Sequence, residues 1–202
     1  MYKYLKAIYH IFKNYHLYSI PVLLNEIVFY FKYNNNFNKF KYLNSNFLSD
    51  SIPCSYFFLK KIKNFTKTKK LNYICDLGSG YGKILYFFGN LNNYKIDGIE
   101  LEKEIYLESA ILKSNNIRIF NENILEFDLK NIQYDIFIMN DPLKMTDDLM
   151  KLIIKIKRLY KKTYFVLINI DKKKLEMIKN NLKIIDSLMI SKNRNIIFCS
   201  NN

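Results

Sequence analysis

The sequence predicts an α/β protein with a doubly wound, mostly parallel sheet of seven strands and a helical extension at its N-terminus. From residue 71 onward, short apolar runs alternate with segments of helical periodicity, which is typical of a parallel sheet covered by helices on both faces. The last two apolar runs are joined by Ser191-Lys192-Asn193, which indicates a closing antiparallel hairpin. With 50% hydrophobic residues, the 202-residue chain can bury a sizeable core.

The first 70 residues are predicted to form a basic helical cap over the substrate side, and residues 71–202 the main domain. Residues 2–12 and 18–31 are apolar but interrupted by polar and charged side chains, so neither resembles a signal peptide or a membrane span. We expect both to be helices that pack on their own domain; an amphipathic helix on a membrane surface is the less favoured alternative. Residues 34–46 are rich in Asn and indicate a linker, and Ser51-Ile52-Pro53 indicates a helix start.

The elements of the main domain follow from its apolar runs and turn residues. Strands are predicted at residues 72–76, 95–100, 117–120, 134–140 and 163–170. Helices are predicted at residues 82–91, 102–114, 147–160 and 172–180, and the hairpin at 182–190 and 194–199. This order predicts that the carboxyl ends of the parallel strands meet at one edge of the sheet.

The most informative motif lies where the first strand meets the first helix of this domain. The strand ends in Asp76, and the following loop has glycine at every second position, at Gly78, Gly80 and Gly82. Such a loop lets a ligand approach the backbone, and the start of the helix favours an anionic group. The second strand ends in Glu100, which is placed to accept hydrogen bonds from two ribose hydroxyls. The unit therefore predicts a site for a nucleoside-like ligand.

The glycine spacing separates two kinds of nucleoside ligand. A dinucleotide fingerprint needs Gly-x-Gly-x-x-Gly, whereas here the third glycine comes one residue early and Lys83 fills the required position. The pattern Asp-x-Gly-x-Gly-x-Gly instead resembles motif I of the class I S-adenosylmethionine-dependent methyltransferases. That resemblance covers residues 71–200 and implies a Rossmann-like methyltransferase fold. It implies that the methionine end of the cofactor is held by Asp76, Gly78, Ser79, Gly80, Tyr81 and Gly82, and the ribose by Glu100, beside Leu101.

The loop after the third strand is the next part of the resemblance. Methyltransferases commonly place an acid there that receives the adenine amino group. The matching positions here are Glu122 and Asn123, followed by Ile124. The Asn123 side-chain oxygen can accept the same hydrogen bond. We therefore expect Asn123 and Ile124 to contact the adenine.

The fourth strand ends in Asn140-Asp141-Pro142, which resembles methyltransferase motif IV beside the transferred methyl group. In amino-group methyltransferases this motif continues with a second proline and an aromatic residue, whereas Leu143 and Lys144 follow here. The missing aromatic counts against a nucleobase acceptor. The short form is similar to that of small bacterial methyltransferases. Asp141 is the candidate to take or orient the acceptor's proton, and Asn140 is its substitute.

Charge is unevenly placed along the chain. Residues 1–70 carry 12 basic and 2 acidic side chains, residues 71–150 carry 7 and 13, and residues 151–202 carry 13 and 3. The acidic middle contains the cofactor motifs, which suits a sulfonium cation. The basic ends would attract nucleic acid, an anionic membrane face or an acidic protein, although solvated lysines explain the same pattern.

The cysteines and histidines exclude a conventional metal site. The chain has Cys54, Cys75 and Cys199 without Cys-x-x-Cys spacing, and only the histidines His10 and His16. We expect no metal, reduced thiols and a cytoplasmic protein.

The sequence thus predicts an S-adenosylmethionine-dependent methyltransferase that acts on a protein side chain or a small molecule. An RNA acceptor is the first alternative, because the flanks are basic. An inactive cofactor-binding module that serves as a partner for another protein is the second, because motif IV is degenerate.

Overall fold

The structure, a computed structural model, describes residues 2–32, 39–43, 45–192 and 194–201; for residues 2–7 and 10 it describes the backbone only. The strands among these residues are β1 (Tyr73–Leu77), β2 (Lys95–Ile99), β3 (Ile117–Phe120), β4 (Ile136–Met139), β5 (Tyr164–Ile168), β6 (Lys183–Ser191) and β7 (Arg194–Ser200). They form one sheet in the order β3-β2-β1-β4-β5-β7-β6. The helices are α1 (Tyr2–Tyr15), α2 (Ser19–Lys32), α3 (Tyr56–Lys69), α4 (Lys83–Gly89), α5 (Lys103–Ser109), α6 (Thr146–Leu159) and α7 (Lys172–Asn181).

The sheet has the predicted mixed topology. Strands β1 to β5 pair in parallel, and β7 runs antiparallel to both β5 and β6. The hairpin of β6 and β7 closes one edge of the sheet, which confirms the fold class predicted from the sequence. The chain order reverses between β1 and β4, which leaves a crevice at their carboxyl ends.

Two hydrophobic cores cover the two faces of the sheet. Alternate strand residues point to opposite faces, so Ile74 and Ile138 join one core and Cys75 and Phe137 join the other. Helices α3 and α4 pack on the first face, and α6 and α7 pack on the second. The central strands β1 and β4 are buried on both sides, and Asp76 of β1 is the exception among their otherwise apolar buried side chains.

Several element boundaries differ from the predicted ones. Helix α3 begins at Tyr56 rather than near Ser51, because the Ser55 hydroxyl caps it by accepting the backbone N–H of Phe58. The predicted helix at 102–114 is shorter, since α5 ends at Ser109 and a 3-10 turn follows. Of the predicted linker 34–46, residues 34–38 and 44 lie outside the described residues. Residues 39–43, 45 and 46 are not helical.

Candidate functional site

A cavity of roughly 770 Å³, including its open mouth, lies at the carboxyl edge of the sheet. Its wall is formed by the glycine loop after β1, the end of β2, the loop after β3 and the end of β4. From these segments it takes Gly78, Ser79, Gly80, Tyr81, Glu100, Leu101, Asn123, Ile124, Asn140 and Pro142. It lies in the crevice at the carboxyl ends of the strands, where open α/β sheets bind their ligands.

The glycine loop has the backbone that its sequence predicts. Gly78, Gly80 and Gly82 have φ angles of 79°, 54° and 84°, a region that residues with a side chain rarely occupy. A Cβ atom at Gly78 would lie 2.6 Å from the Cβ of Pro142, so the loop also packs directly on motif IV. The backbone N–H groups of Gly78 and Ser79 donate to the carbonyl of Ile99, which ties the loop to the end of β2.

Glu100 fixes the opposite side of this loop. One carboxylate oxygen accepts the N–H of Gly80 at 2.8 Å, and the other accepts the N–H of Glu102 at 2.8 Å. Burial raises the pKa of Glu100, and the two N–H groups oppose that rise. Each oxygen retains a lone pair for a further donor, so the carboxylate can accept hydroxyl hydrogen bonds from a ligand in the cavity.

Asp76 is a buried acid without a protein donor. It is fully buried in β1, and neither carboxylate oxygen has a hydrogen-bond partner among the residues that the structure describes. Burial, and secondly the Glu100 carboxylate, raises the pKa of Asp76 well above its usual range. An isolated buried carboxylate is costly unless a cation or donor compensates it. Asp76 is not among the described residues that line the cavity, so of these two acids only Glu100 lies on its wall.

The loop after β3 supplies the far end of the cavity. Asn123 and Ile124 line it, and the Asn123 side-chain oxygen accepts the N–H of Leu125 at 3.0 Å. That bond orients the side chain and leaves one acceptor position on the oxygen. Ile124 and the side chain of Leu101 add apolar surface here. Glu122 is exposed and does not line the cavity.

Motif IV presents Asn140 to the cavity and turns Asp141 away from it. Asp141 has a φ of 44° and is not among the described residues that line the cavity. Its carboxylate accepts the Nζ of Lys174 at 2.5 Å; Lys174 is buried and also donates to the carbonyl of Leu143. Burial raises the pKa of Asp141, although the Lys174 ammonium opposes that rise.

Asn140 is oriented by its own amide contacts. Its Nδ2 donates to the carbonyl of Ile52 at 2.7 Å, and its Oδ1 accepts the Nδ2 of Asn169 at 2.7 Å. Asn169 follows β5 and has a φ of 58°. The sequence analysis predicted no role for Lys174 or Asn169. Asn169 could have been predicted, because it follows the carboxyl end of β5, the parallel strand next to β4.

A segment that we call the strap, residues 39–43 and 45–54, crosses the cavity. Its Lys41 pairs with Ser51 through two backbone hydrogen bonds, and its Ser49 donates to the carbonyl of Pro142. At the other end, Lys41 forms an ion pair with Glu104 of α5 at 2.7 Å. The strap supplies cavity residues from Lys39 to Cys54, whereas no described residue of α1 or α2 lines the cavity.

Glu26 connects the N-terminal helices to the glycine loop. Its carboxylate accepts the N–H of Tyr56 at 2.6 Å and lies 3.3 Å from the Nζ of Lys83, the first residue of α4. Lys83 is buried and stacks over the Tyr56 ring at 4.0 Å. In the sequence, Lys83 served only to exclude a dinucleotide-binding loop. In the structure Lys83 pairs with Glu26 and lies on the cavity wall.

Metal ligands do not cluster at this site. Within the described ranges, no three His, Cys, Asp or Glu side chains lie close enough to hold a metal ion. None of the helices described is long and apolar enough to cross a membrane.

The strand order with an antiparallel β7 gives this chain the fold of the class I S-adenosylmethionine-dependent methyltransferases. No family model and no curated protein matches the chain in sequence.

The chain is similar in fold to solved structures of methyltransferases. Magnesium protoporphyrin IX methyltransferase from Synechocystis PCC 6803, crystallised with bound SAM, is 13% identical, with 71% of this chain and 76% of that chain covered and a TM-score of 0.55. A SAM-dependent methyltransferase from Aquifex aeolicus is 13% identical over 72% and 97%, with a TM-score of 0.56. The methyltransferase domain of bacterial CtHen1 is 11% identical over 72% and 97%, with a TM-score of 0.59.

Proposed function

We propose that the chain is an S-adenosylmethionine-dependent methyltransferase. The observation that carries this proposal is Glu100, a carboxylate on the cavity wall held by the N–H groups of Gly80 and Glu102. A carboxylate fixed in this way accepts vicinal ribose hydroxyls without reorganisation. The glycine loop that it braces has the backbone needed for close approach of a ligand.

Each part of the cavity has a role toward this cofactor. The loop residues Gly78, Ser79, Gly80 and Tyr81 on the cavity wall, with Gly82 and the buried Asp76 behind them, would hold the charged methionine end. Glu100 would hold the ribose. Leu101, Asn123 and Ile124 would hold the adenine, with the Asn123 oxygen as its acceptor. When bound, S-adenosylmethionine would supply an activated methyl group on its sulfonium sulfur.

The chain's own contribution to methyl transfer is alignment of the acceptor. Asn140 lines the cavity at the end of β4, and its amide is held from both sides by Ile52 and Asn169. We infer that Asn140 positions the acceptor atom. Asp141 remains a candidate for taking the acceptor's proton, and its contact with Lys174 gives it a second role, which is to fix the backbone turn between Asn140 and Pro142.

The acceptor is proposed to be a protein side chain or a small molecule. The strap and motif IV enclose the cavity, and the position where base-modifying enzymes carry an aromatic residue is Lys144, which is exposed and donates to the carbonyl of Ser45. This leaves no stacking partner for a flipped base in motif IV. RNA is the alternative acceptor that the basic flanks support. An inactive cofactor-binding module is the alternative that the ion-paired Asp141 supports.

Methyl transfer from labelled cofactor tests the proposal. The purified chain is incubated with a lysate and methyl-labelled S-adenosylmethionine, and the label is counted separately in protein, RNA and small molecules. We expect label in the protein or small-molecule fraction, and a loss of on the order of a hundredfold in Asn140→Ala. Asp141→Asn compares the two candidates, since a comparable loss there with unchanged cofactor affinity would assign it the proton. Cofactor binding without labelling of any fraction would favour the inactive module.

A further inference from the structure

A stripe of exposed apolar side chains runs along the outside of the second N-terminal helix. We call it the outer stripe; it consists of Leu17, Ile20, Leu24, Ile27, Val28 and Phe31. Leu17 lies in the 3-10 turn His16–Tyr18 before α2, and the other five lie on α2, where their spacing places them on one face of the helix. Leu17 is 95% exposed and Phe31 83% exposed, so these side chains are not merely at the rim of the core. Monomeric soluble proteins rarely expose a contiguous apolar surface of this kind.

Two polar residues of α2, Glu26 and Ser19, point away from the outer stripe. Glu26 turns toward the protein, where it meets Lys83 and the N–H of Tyr56. Ser19 is buried and donates its hydroxyl to the carbonyl of His16. Val22 completes the packed side of the helix in the first core. The polarity of α2 is thus inverted relative to an ordinary surface helix, because its one acid, Glu26, is turned inward and the five stripe residues from Ile20 to Phe31 are outside, while Lys32 at its end is exposed.

The charge of residues 1–70 indicates which kind of partner covers the outer stripe. Residues 1–70 contain only two acids, and both are engaged within the protein: Glu26 at Lys83, and Asp50, which accepts the N–H of Leu43 beside the cavity. The same segment contains 12 basic residues, among them exposed Lys13 and Lys32 near the ends of α1 and α2. A second copy of this chain would bring two strongly positive segments together, whereas an anionic lipid surface would attract them.

We propose that α2 lies flat on an anionic membrane surface with the outer stripe in the lipid. From Ile20 to Phe31 the α2 part of the stripe is about 17 Å long at the helical rise, which suits a helix parallel to the surface. Tyr18 and Tyr30, both exposed, add amphipathic rings of the kind that favour the interface between lipid and water. The proposal concerns attachment and does not depend on the proposed methyl transfer.

The absence of tryptophan from the chain gives a direct assay. Leu17→Trp introduces a single tryptophan into the outer stripe, and its emission is recorded with vesicles of phosphatidylcholine with and without phosphatidylglycerol. We expect a blue shift only with the anionic vesicles, reduced by added salt. Ile111→Trp is the matched control. Ile111 is exposed and lies between α5 and the edge strand β3, so the emission of a tryptophan placed there should not shift.

A second pair of variants tests the apolar contribution without changing charge. Leu24→Ser with Phe31→Ser should weaken co-sedimentation with the anionic vesicles at least tenfold, whereas Leu107→Ser with Ile111→Ser should leave it unchanged. All four side chains are exposed, so the thermal unfolding midpoint should stay close to that of the parent chain. An unshifted Leu17→Trp emission, or equal vesicle binding by both pairs, would overturn the proposal. So would a dimer in lipid-free buffer that only the Leu24/Phe31 pair dissociates, since a second copy would then occupy the stripe.

Discussion

Replacement of Asp76 by Asn should change how the stability of the cofactor-free protein depends on pH. Asp76 is fully buried, neither of its oxygens has a partner among the described residues, and its pKa is raised by burial and by Glu100. An unfolded Asp titrates near a pKa of about 4. Between that pKa and the higher folded pKa, the folded state holds a proton that the unfolded state has lost.

The sign and size of the effect follow from this difference in bound protons. The contribution of Asp76 to the free energy of unfolding is fully present below the pKa that it has in the unfolded chain. That contribution is lost as the pH rises toward the pKa that Asp76 has in the folded protein, by about 1.4 kcal/mol per pH unit. Asp76→Asn carries no titrating group at this position, so its stability advantage over the parent should grow at that rate. For a chain of this size the unfolding midpoint of the variant should gain about 3–5 °C per pH unit within the window.

The assay is denaturant unfolding for the free energy and thermal unfolding for the midpoint temperature across a pH series without cofactor, followed by the same series with S-adenosylmethionine. Glu122→Gln is the control, because it removes one negative charge at an exposed position. The cofactor's positive charges should favour the ionised Asp76, so cofactor binding should release a proton in the parent and not in Asp76→Asn, as measured by calorimetry in buffers of different ionisation enthalpy. Stability profiles of the parent and Asp76→Asn that run parallel across the pH series would contradict the raised pKa of Asp76, since Asp76 would then be ionised and compensated in the folded protein.

Three further substitutions test contacts that hold the site in place, each by its effect on the free energy of unfolding in denaturant. Gly78→Ala should destabilise the protein by about 1–3 kcal/mol, because the φ of 79° is strained for Ala and the new Cβ meets Pro142; an unchanged midpoint would contradict the loop packing. Lys174→Met should cost about 2–4 kcal/mol by leaving Asp141 without its cation, and adding Asp141→Asn should recover part of the loss; strictly additive effects would argue against the ion pair. Glu26→Ala should cost about 1–3 kcal/mol through the lost contact with the start of α3, and an equally stable variant would show that α2 is not held there.

The sheet was predictable because its determinants are local in the sequence. Alternating apolar runs and helical segments predict parallel strands, and the short polar turn before Arg194 predicts the reversal of β7. The boundaries were less predictable, since a cap such as Ser55 competes with an equally suitable helix start at Ser51. The placement of Glu100 and the glycine loop followed from the motif, because both lie at strand ends whose direction the topology fixes.

The cover over the cavity could not be predicted from the sequence. The cap was expected from the helices of residues 1–70, yet the strap lines the cavity and α1 and α2 do not within their described residues. Long-range contacts, such as Ser49 with Pro142 and Lys41 with Glu104, fix the strap, and no local pattern encodes them. The pairing of Asp141 with Lys174 is another contact of this kind, since 33 positions separate the two residues.

Calorimetric titration with S-adenosylmethionine, and separately with NADH, tests whether the cavity is a site for this cofactor. We expect micromolar affinity for S-adenosylmethionine, roughly −7 to −8 kcal/mol, and no comparable binding of NADH. Glu100→Ala should weaken that affinity at least tenfold, because hydrogen bonds from the ribose to a charged carboxylate contribute about 2–4 kcal/mol. Tight binding of NADH with no response to S-adenosylmethionine, or an unchanged affinity in Glu100→Ala, would contradict it.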